Sequence, residues 1–156
     1  MWQEAAGRCT QYPRGRRRPR GAGMLASISG LGAFLAYAAV AAGLVAAYLV
    51  VYMLATAHDE LALIRAGVTA AAIALGGSLV AFTLPLAVAI YNAQGLLDCA
   101  VWGLVALIVQ MAVYWVVRLV LPGLSRQIAA GETAPATFLA AASLAAGIVN
   151  AAAMTY

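Results

Sequence analysis

The stretch Ile64-Arg65-Ala66-Gly67-Val68-Thr69-Ala70-Ala71-Ala72 returns 64 positions later as Ile128-Ala129-Ala130-Gly131-Glu132-Thr133-Ala134-Pro135-Ala136, with six residues identical. Each copy leads directly into a long apolar segment. A repeat of this length with a fixed offset is the mark of a duplicated structural unit. The chain therefore reads as an all-α membrane protein whose four transmembrane helices form two duplicated helical hairpins, with Gly67 and Gly131 as the repeat signature.

Outward from these copies lie four apolar runs, roughly Leu25 to Leu54, Val68 to Ile90, Ala100 to Leu121 and Ala134 to Met154. A spanning helix needs about 20 mostly apolar residues, and no alternating strand pattern competes with the runs. The composition agrees: 65% of residues are hydrophobic, 9% are charged and the mean hydropathy is +0.94. A soluble domain of 156 residues could not cover itself with so few polar side chains. The organisation expected is an Arg-rich tail at 1–23, disordered or upstream of a true start at Met24, then a first two-helix repeat at 24–91 and a second at 92–156.

The net charge of +4 comes from that tail, since Arg8, Arg14, Arg16, Arg17, Arg18 and Arg20 all precede Met24. From Met24 onward, Arg65, Arg118 and Arg126 face four acids, Asp59, Glu60, Asp98 and Glu132, a balance of −1. The tail has no aromatic interleaving beyond Trp2 and Tyr12, so a solvated charge run is expected and no nucleic-acid partner. Arginines in short loops set orientation. Counted from Met24, the first and third loops face the cytoplasm and both termini lie outside; counted with the tail, the protein inverts.

The loops carry their own punctuation. Thr56-Ala57-His58-Asp59-Glu60 closes the first span and reads as a solvated interfacial loop, Asn92-Ala93-Gln94-Gly95 turns between the second and third spans, and Pro122-Gly123 stops the third helix. Pro135 suits the first turn of the fourth, whereas Pro85 interrupts the second and should bend it.

Small residues recur where helices should touch. Thr69, Ile73, Gly76 and Val80 follow one another at helical spacing with Gly77 and Ser78 beside them, and Ala136, Ala140, Ser143, Gly147 and Asn150 form a similar face in the fourth span. Such faces let backbones approach where lipid gives no hydrophobic incentive to associate. Thr69, Gly76, Gly77, Ser78, Pro85, Gln110, Thr133, Ser143, Gly147 and Asn150 are accordingly the candidate packing or pore-lining residues. Gln110 and Tyr114 share a face of the third helix with Gly103 and Arg118, and a buried amide must find a partner, with Ser143 or Asn150 as options.

No catalytic residue, metal site or cofactor is expected. His58, Asp59 and Glu60 are consecutive, which converges poorly on a metal, and no second His stands near. Cys9 and Cys99 suggest neither a disulfide nor a reactive thiol, and no phosphate loop, nucleophile elbow or HExxH occurs.

From Met24 to Tyr156 the chain resembles the YjfL-like small bacterial inner-membrane proteins, described as domain of unknown function 350. The likeness rests on His58-Asp59-Glu60 followed by Leu63-Ile64-Arg65, on Thr69-Ala70-Ala71-Ala72-Ile73 with Gly76 and Pro85-Leu86, on Val109-Gln110 and Arg118, on Pro122 with Leu124-Ser125, and on Gly147-Ile148 with Asn150-Ala151-Ala152 and Met154-Thr155. The family pattern carries Asn just before the Thr-Ala run, where this chain has Val68 and Glu132. The resemblance implies a multi-pass inner-membrane protein of one or two two-helix units with no established activity. Its members look to be encoded near membrane-stress proteins, which by association implies a role in the envelope. Two functions stand: a non-enzymatic component that associates with itself or another membrane protein and supports envelope maintenance, or a small oligomeric channel or facilitator lined by Thr69, Ser78, Ser143 and Asn150.

Overall fold

In a computed structural model, residues 20–56 and 59–155 are described, with side chains from residue 30 onward. The described chain is wholly helical: α1 (Arg20–Ala55), α2 (Glu60–Arg65), α3 (Thr69–Asn92), α4 (Leu96–Val120), α5 (Leu124–Ala129) and α6 (Thr133–Ala153). Two compact units are present, Met1–Ala33 and Phe34–Tyr156. The described part of the first is the opening of α1, and the second holds the rest of α1 with α2 to α6. Most of the segment expected as a tail, and His58, lie outside the described residues.

Four helices are long and apolar enough to cross a membrane: Gly30–Ala55, Thr69–Asn92, Leu96–Val120 and Thr133–Ala153. At about 1.5 Å per residue each exceeds the roughly 30 Å hydrocarbon core. They coincide with the four apolar runs of the sequence.

The connections between α1 and α3 and between α4 and α6 are not irregular. Each contains a short helix, α2 or α5, and the two are built alike at an offset of 64. After α2, Gly67 N–H donates to Ile64 O and Val68 N–H to Leu63 O, both at 3.0 Å; after α5, Gly131 N–H donates to Ile128 O and Glu132 N–H to Gln127 O, again both at 3.0 Å. This is the Schellman arrangement, which satisfies the last carbonyls of a helix by turning the next residue left-handed. Gly67 has φ +84° and Gly131 φ +87°, values that a side chain would resist. The sequence copies thus mark one turn built twice.

The centre of the protein is the α3–α6 pair, which makes the most extensive contact between elements, with α4 packed against both. Gly77 meets Ala140, Ser78 meets Ser143 and Ala81 meets Gly147. Positions rise together along both helices, so α3 and α6 run parallel. Asn92 Nδ2 closes the far end by donating to Met154 O at 3.0 Å.

The buried face of α3 is Ala70, Ala71, Ala74, Leu75, Ser78, Ala81, Phe82, Pro85, Leu86 and Ala89. This face lies one residue round from the expected Thr69, Ile73, Gly76, Val80 stripe, and Gly76 is exposed with open space where a Cβ would stand. The reason is that α3 is apolar all round. Lipid accepts either face, so only shape complementarity with α6 chooses between them. Helix α1 adds Leu44, Tyr48 and Tyr52 to the core, Leu44 reaching the bare backbone of Gly103 on α4.

Candidate functional site

Pro85 has no N–H to offer the carbonyl of Ala81, four residues earlier in α3. That carbonyl is directed at α6, where its oxygen occupies the space that a Cβ on Gly147 would need. A Cα–H···O approach of this kind gives the freed oxygen a weak partner and draws the helices together. Helix α3 is continuous through Pro85. One turn away, a Cβ on Gly77 would collide with Ala140. Between these two close approaches sits the Ser78–Ser143 pair, Oγ to Oγ 3.4 Å and buried.

Ser78 also neighbours the hydroxyls of Tyr48 and Tyr52, both fully buried on α1. These rings belong to an aromatic stack. Tyr48 lies on Phe82 at 4.6 Å between centroids, tilts against Tyr52 at 5.8 Å, and Tyr52 meets Tyr114 of α4 edge-on at 5.5 Å. Neither the Tyr48 nor the Tyr52 hydroxyl has a hydrogen-bond partner, an expensive condition for a buried polar group.

Beside Tyr52 is Glu60. The sequence places it in a solvated loop, yet folding of α2 against α3 leaves it only 3% exposed. Burial pushes its carboxyl up to about 7, with the Tyr52 hydroxyl opposing part of that rise. The hydroxyl is close enough to favour the charged form but does not adopt hydrogen-bonding geometry, so Glu60 Oε2 remains without a partner. Its neighbour Asp59 is exposed and does ordinary capping work, accepting from Ala62 N–H at 3.1 Å.

The last carbonyl of α1 is tied to α4. Ala55 O accepts from Tyr114 Oη at 3.3 Å and from Arg118 Nη1 at 3.1 Å, and the Arg118 guanidinium lies 5.1 Å over the Trp115 ring. A cation at this position complements the C-terminal dipole of α1. Tyr114 Oη also meets Ser125 Oγ at 3.3 Å, joining α5 to the same knot. At the opposite end a cavity of about 340 Å³ opens at the α3–α4 turn, lined by Asn92, Gln94, Asp98 and Trp102 among others. There Asp98 accepts from Gln94 N–H at 3.0 Å.

Of the residues singled out in the sequence, Gly77, Ser78, Pro85, Ser143 and Gly147 come together at the α3–α6 contact. Gln110 is buried on α4, but its Nε2 has no partner, and Ser143 bonds Ser78 instead. Asn150 is half-buried, while Thr69, Gly76 and Thr133 lie on the outer surface. Val68 and Glu132, where the resemblance expects Asn, are the N-caps of α3 and α6, and neither side chain caps its helix. Among the described residues no group of three His, Cys, Asp or Glu side chains gathers to hold a metal. Sequence reasoning missed Glu60 and the full weight of Tyr48 and Tyr52. The signal available was the one-face spacing of the tyrosines on α1.

The model of the Domain of Unknown Function family DUF350 matches residues 25–154. The chain belongs to that family. Among its relatives is the UPF0719 inner membrane protein YjfL of Escherichia coli strain K12, 40% identical over 124 residues, covering 80% of this chain and 94% of that protein. YjfL of Escherichia coli O157:H7 matches to the same extent. No solved structure matches. With its four membrane-crossing helices and these relatives, this DUF350 member is a multi-pass protein of the bacterial inner membrane.

Proposed function

We propose that the protein consists of two copies of one membrane unit, α1–α2–α3 and α4–α5–α6, and that it serves as a non-enzymatic, self-associating component of envelope maintenance. Support for the duplication comes from the matched turns after α2 and α5 and from the parallel run of α3 and α6. Two hairpins in the same orientation are related by an axis along the membrane normal.

The observation that carries the functional reading is the closure of α3 on α6. Gly77 on Ala140, Ser78 on Ser143 and Ala81 on Gly147 leave no path between these helices. A channel, the alternative, would need a path between copies, because two of the four residues that should line it, Ser78 and Ser143, touch each other within one and Thr69 lies on the outer surface. What a single copy does leave open is its lateral surface. Gly43 on α1 and Gly76 on α3 each have empty space where a Cβ would stand. Such small-residue faces are where a second copy packs in a bilayer.

Native mass spectrometry of the protein released from membranes tests this. A dimer or small closed assembly, lost in Gly43→Leu or Gly76→Leu with the fold intact, is expected. A single copy bound to a different membrane protein would replace self-association with partner binding. A ring that passes small solutes in reconstituted vesicles would favour the channel.

A further inference from the structure

Glu60, Tyr52, Tyr48, Ser78 and Ser143 form one contiguous polar cluster inside a mostly apolar core. Each link is local: Glu60 beside Tyr52, Tyr52 and Tyr48 beside Ser78, and Ser78 against Ser143 at 3.4 Å. Three of its atoms, Glu60 Oε2, Tyr52 Oη and Tyr48 Oη, are buried without a hydrogen-bond partner. Ser78 stands nine residues into α3, about 13 Å along its axis at 1.5 Å per residue. The cluster therefore leads from the α2 end of the bundle to near the middle of the membrane.

The chemistry of the cluster restricts what it binds. A carboxylate that is 3% exposed and unpaired must be neutralised. Among the described residues no cationic side chain does so: Arg65 on its own helix and Arg126 on α5 are exposed, and Arg118 is engaged with Ala55 O and the Trp115 ring. Among the described residues the titratable groups that act with Glu60 are the two tyrosines of α1, with Tyr114 of α4 behind Tyr52; the Ser78 hydroxyl of α3 neighbours those tyrosines. The stacked rings leave no room for an organic cation between Tyr48 and Phe82. Hydroxyls both donate and accept, so they can serve either form of the acid.

We propose that Glu60, with the hydroxyls of Tyr52, Tyr48, Ser78 and Ser143 behind it, is a buried proton-binding site loaded from the α2 side of the membrane. On loading, the carboxylate takes one proton and becomes a neutral acid whose O–H turns to Tyr52 Oη. On unloading, the Tyr52 hydroxyl turns its own hydrogen to the carboxylate, and the other hydroxyls reorient in sequence. No bond other than this O–H is made or broken. The elevation of the Glu60 carboxyl towards neutrality agrees with such a site.

The test is infrared difference spectroscopy of the full chain in lipid, titrated across pH 4 to 9. The expected result is a protonated-carboxyl band that disappears as pH rises through neutrality, is lost in Glu60→Gln, and in Tyr52→Phe disappears at higher pH, because the hydroxyl that favours the charged form is gone. The Tyr52→Phe variant keeps the ring and its packing, so it remains informative where Glu60→Gln fails to fold. A band that persists in Glu60→Gln, or one that titrates only in the ordinary carboxyl range, overturns the proposal. So does a titration displaced by sodium but not by choline, which would make the ligand a metal ion.

Discussion

The carbonyl oxygen of Ala81 lies where a Cβ of Gly147 would have to be. Pro85 frees that carbonyl on α3, and the bare Gly147 backbone receives it on α6, so a defect in one helix becomes the contact between two. Gly147→Ala is expected to force the pair apart and destabilise the protein by about 1–3 kcal/mol, the usual effect of overpacking. Gly76→Ala, in open space, should be neutral or raise stability by up to about 1 kcal/mol through helix propensity. Thermal unfolding in detergent compares the two; equal effects would remove Gly147 from the helix contact.

The four spans were legible because about 20 consecutive apolar residues have one physical explanation, and the Gly67 and Gly131 turns because a repeated glycine after Ile-x-Ala requires a repeated backbone. Two short helices were not, since six residues give too little periodicity to separate a helix from a loop. The sequence offers Gly76 and Gly77 alike, because a helix surrounded by lipid and alanine carries no polar face to orient it. Glu60 was hidden by its neighbours: His58-Asp59-Glu60 reads as a solvated charge run, and only the packing of α2 against α3 takes the third member out of water.

Stability should depend on the proton at Glu60. Its carboxyl rises from an ordinary value near 4.5 to about 7 on folding, so between these values the folded protein holds a proton that the unfolded chain has released. The contribution is complete below about pH 4.5, declines as pH rises, and levels off above about 7. Thermal midpoints measured across this window should fall with pH in the native chain and fall less in Glu60→Gln. A native midpoint that rises from pH 5 to 7 while that of Glu60→Gln does not would mean that folding favours the charged carboxylate.

The N-termini of α3 and α6 are uncapped, since neither Val68 nor Glu132 offers a side-chain hydrogen bond. Both have the extended backbone of an N-cap, φ −75° and −69°. Asn is among the best residues at this position because its side-chain oxygen accepts from the free N–H groups of the first turn. Val68→Asn and Glu132→Asn should each stabilise the protein by about 0.5–1 kcal/mol, read as a raised thermal midpoint. No gain at either position would show that the first turn is satisfied in another way.

Gly67 and Gly131 sit in the same left-handed conformation with the same hydrogen bonds on either side. Alanine there strains the backbone by roughly 1–2 kcal/mol. If the two halves are copies of one unit, Gly67→Ala and Gly131→Ala should lower the thermal midpoint by similar amounts, and the double variant by about their sum, because the sites share no partner. Markedly unequal losses would mean that one turn is supported by contacts its counterpart lacks.

Because α3 and α6 run parallel, α2 and α5, which precede them, lie on the same side of the membrane. Arg65 and Arg126 are therefore together, with Arg118 at the adjoining end of α4. Basic residues in short connections favour the cytoplasm, so in a chain beginning at Met24 the α2–α5 side should face inward and the α3–α4 turn outward. Single cysteines at Gln127 and Gln94, in a background without Cys9 and Cys99, report this through a membrane-impermeant maleimide on intact cells. Gln94→Cys should label and Gln127→Cys should not. The full chain is the sharper comparison, because its six arginines before Met24 oppose the three after it. A reversed labelling pattern there, with the shorter chain unchanged, would show that the tail sets the orientation.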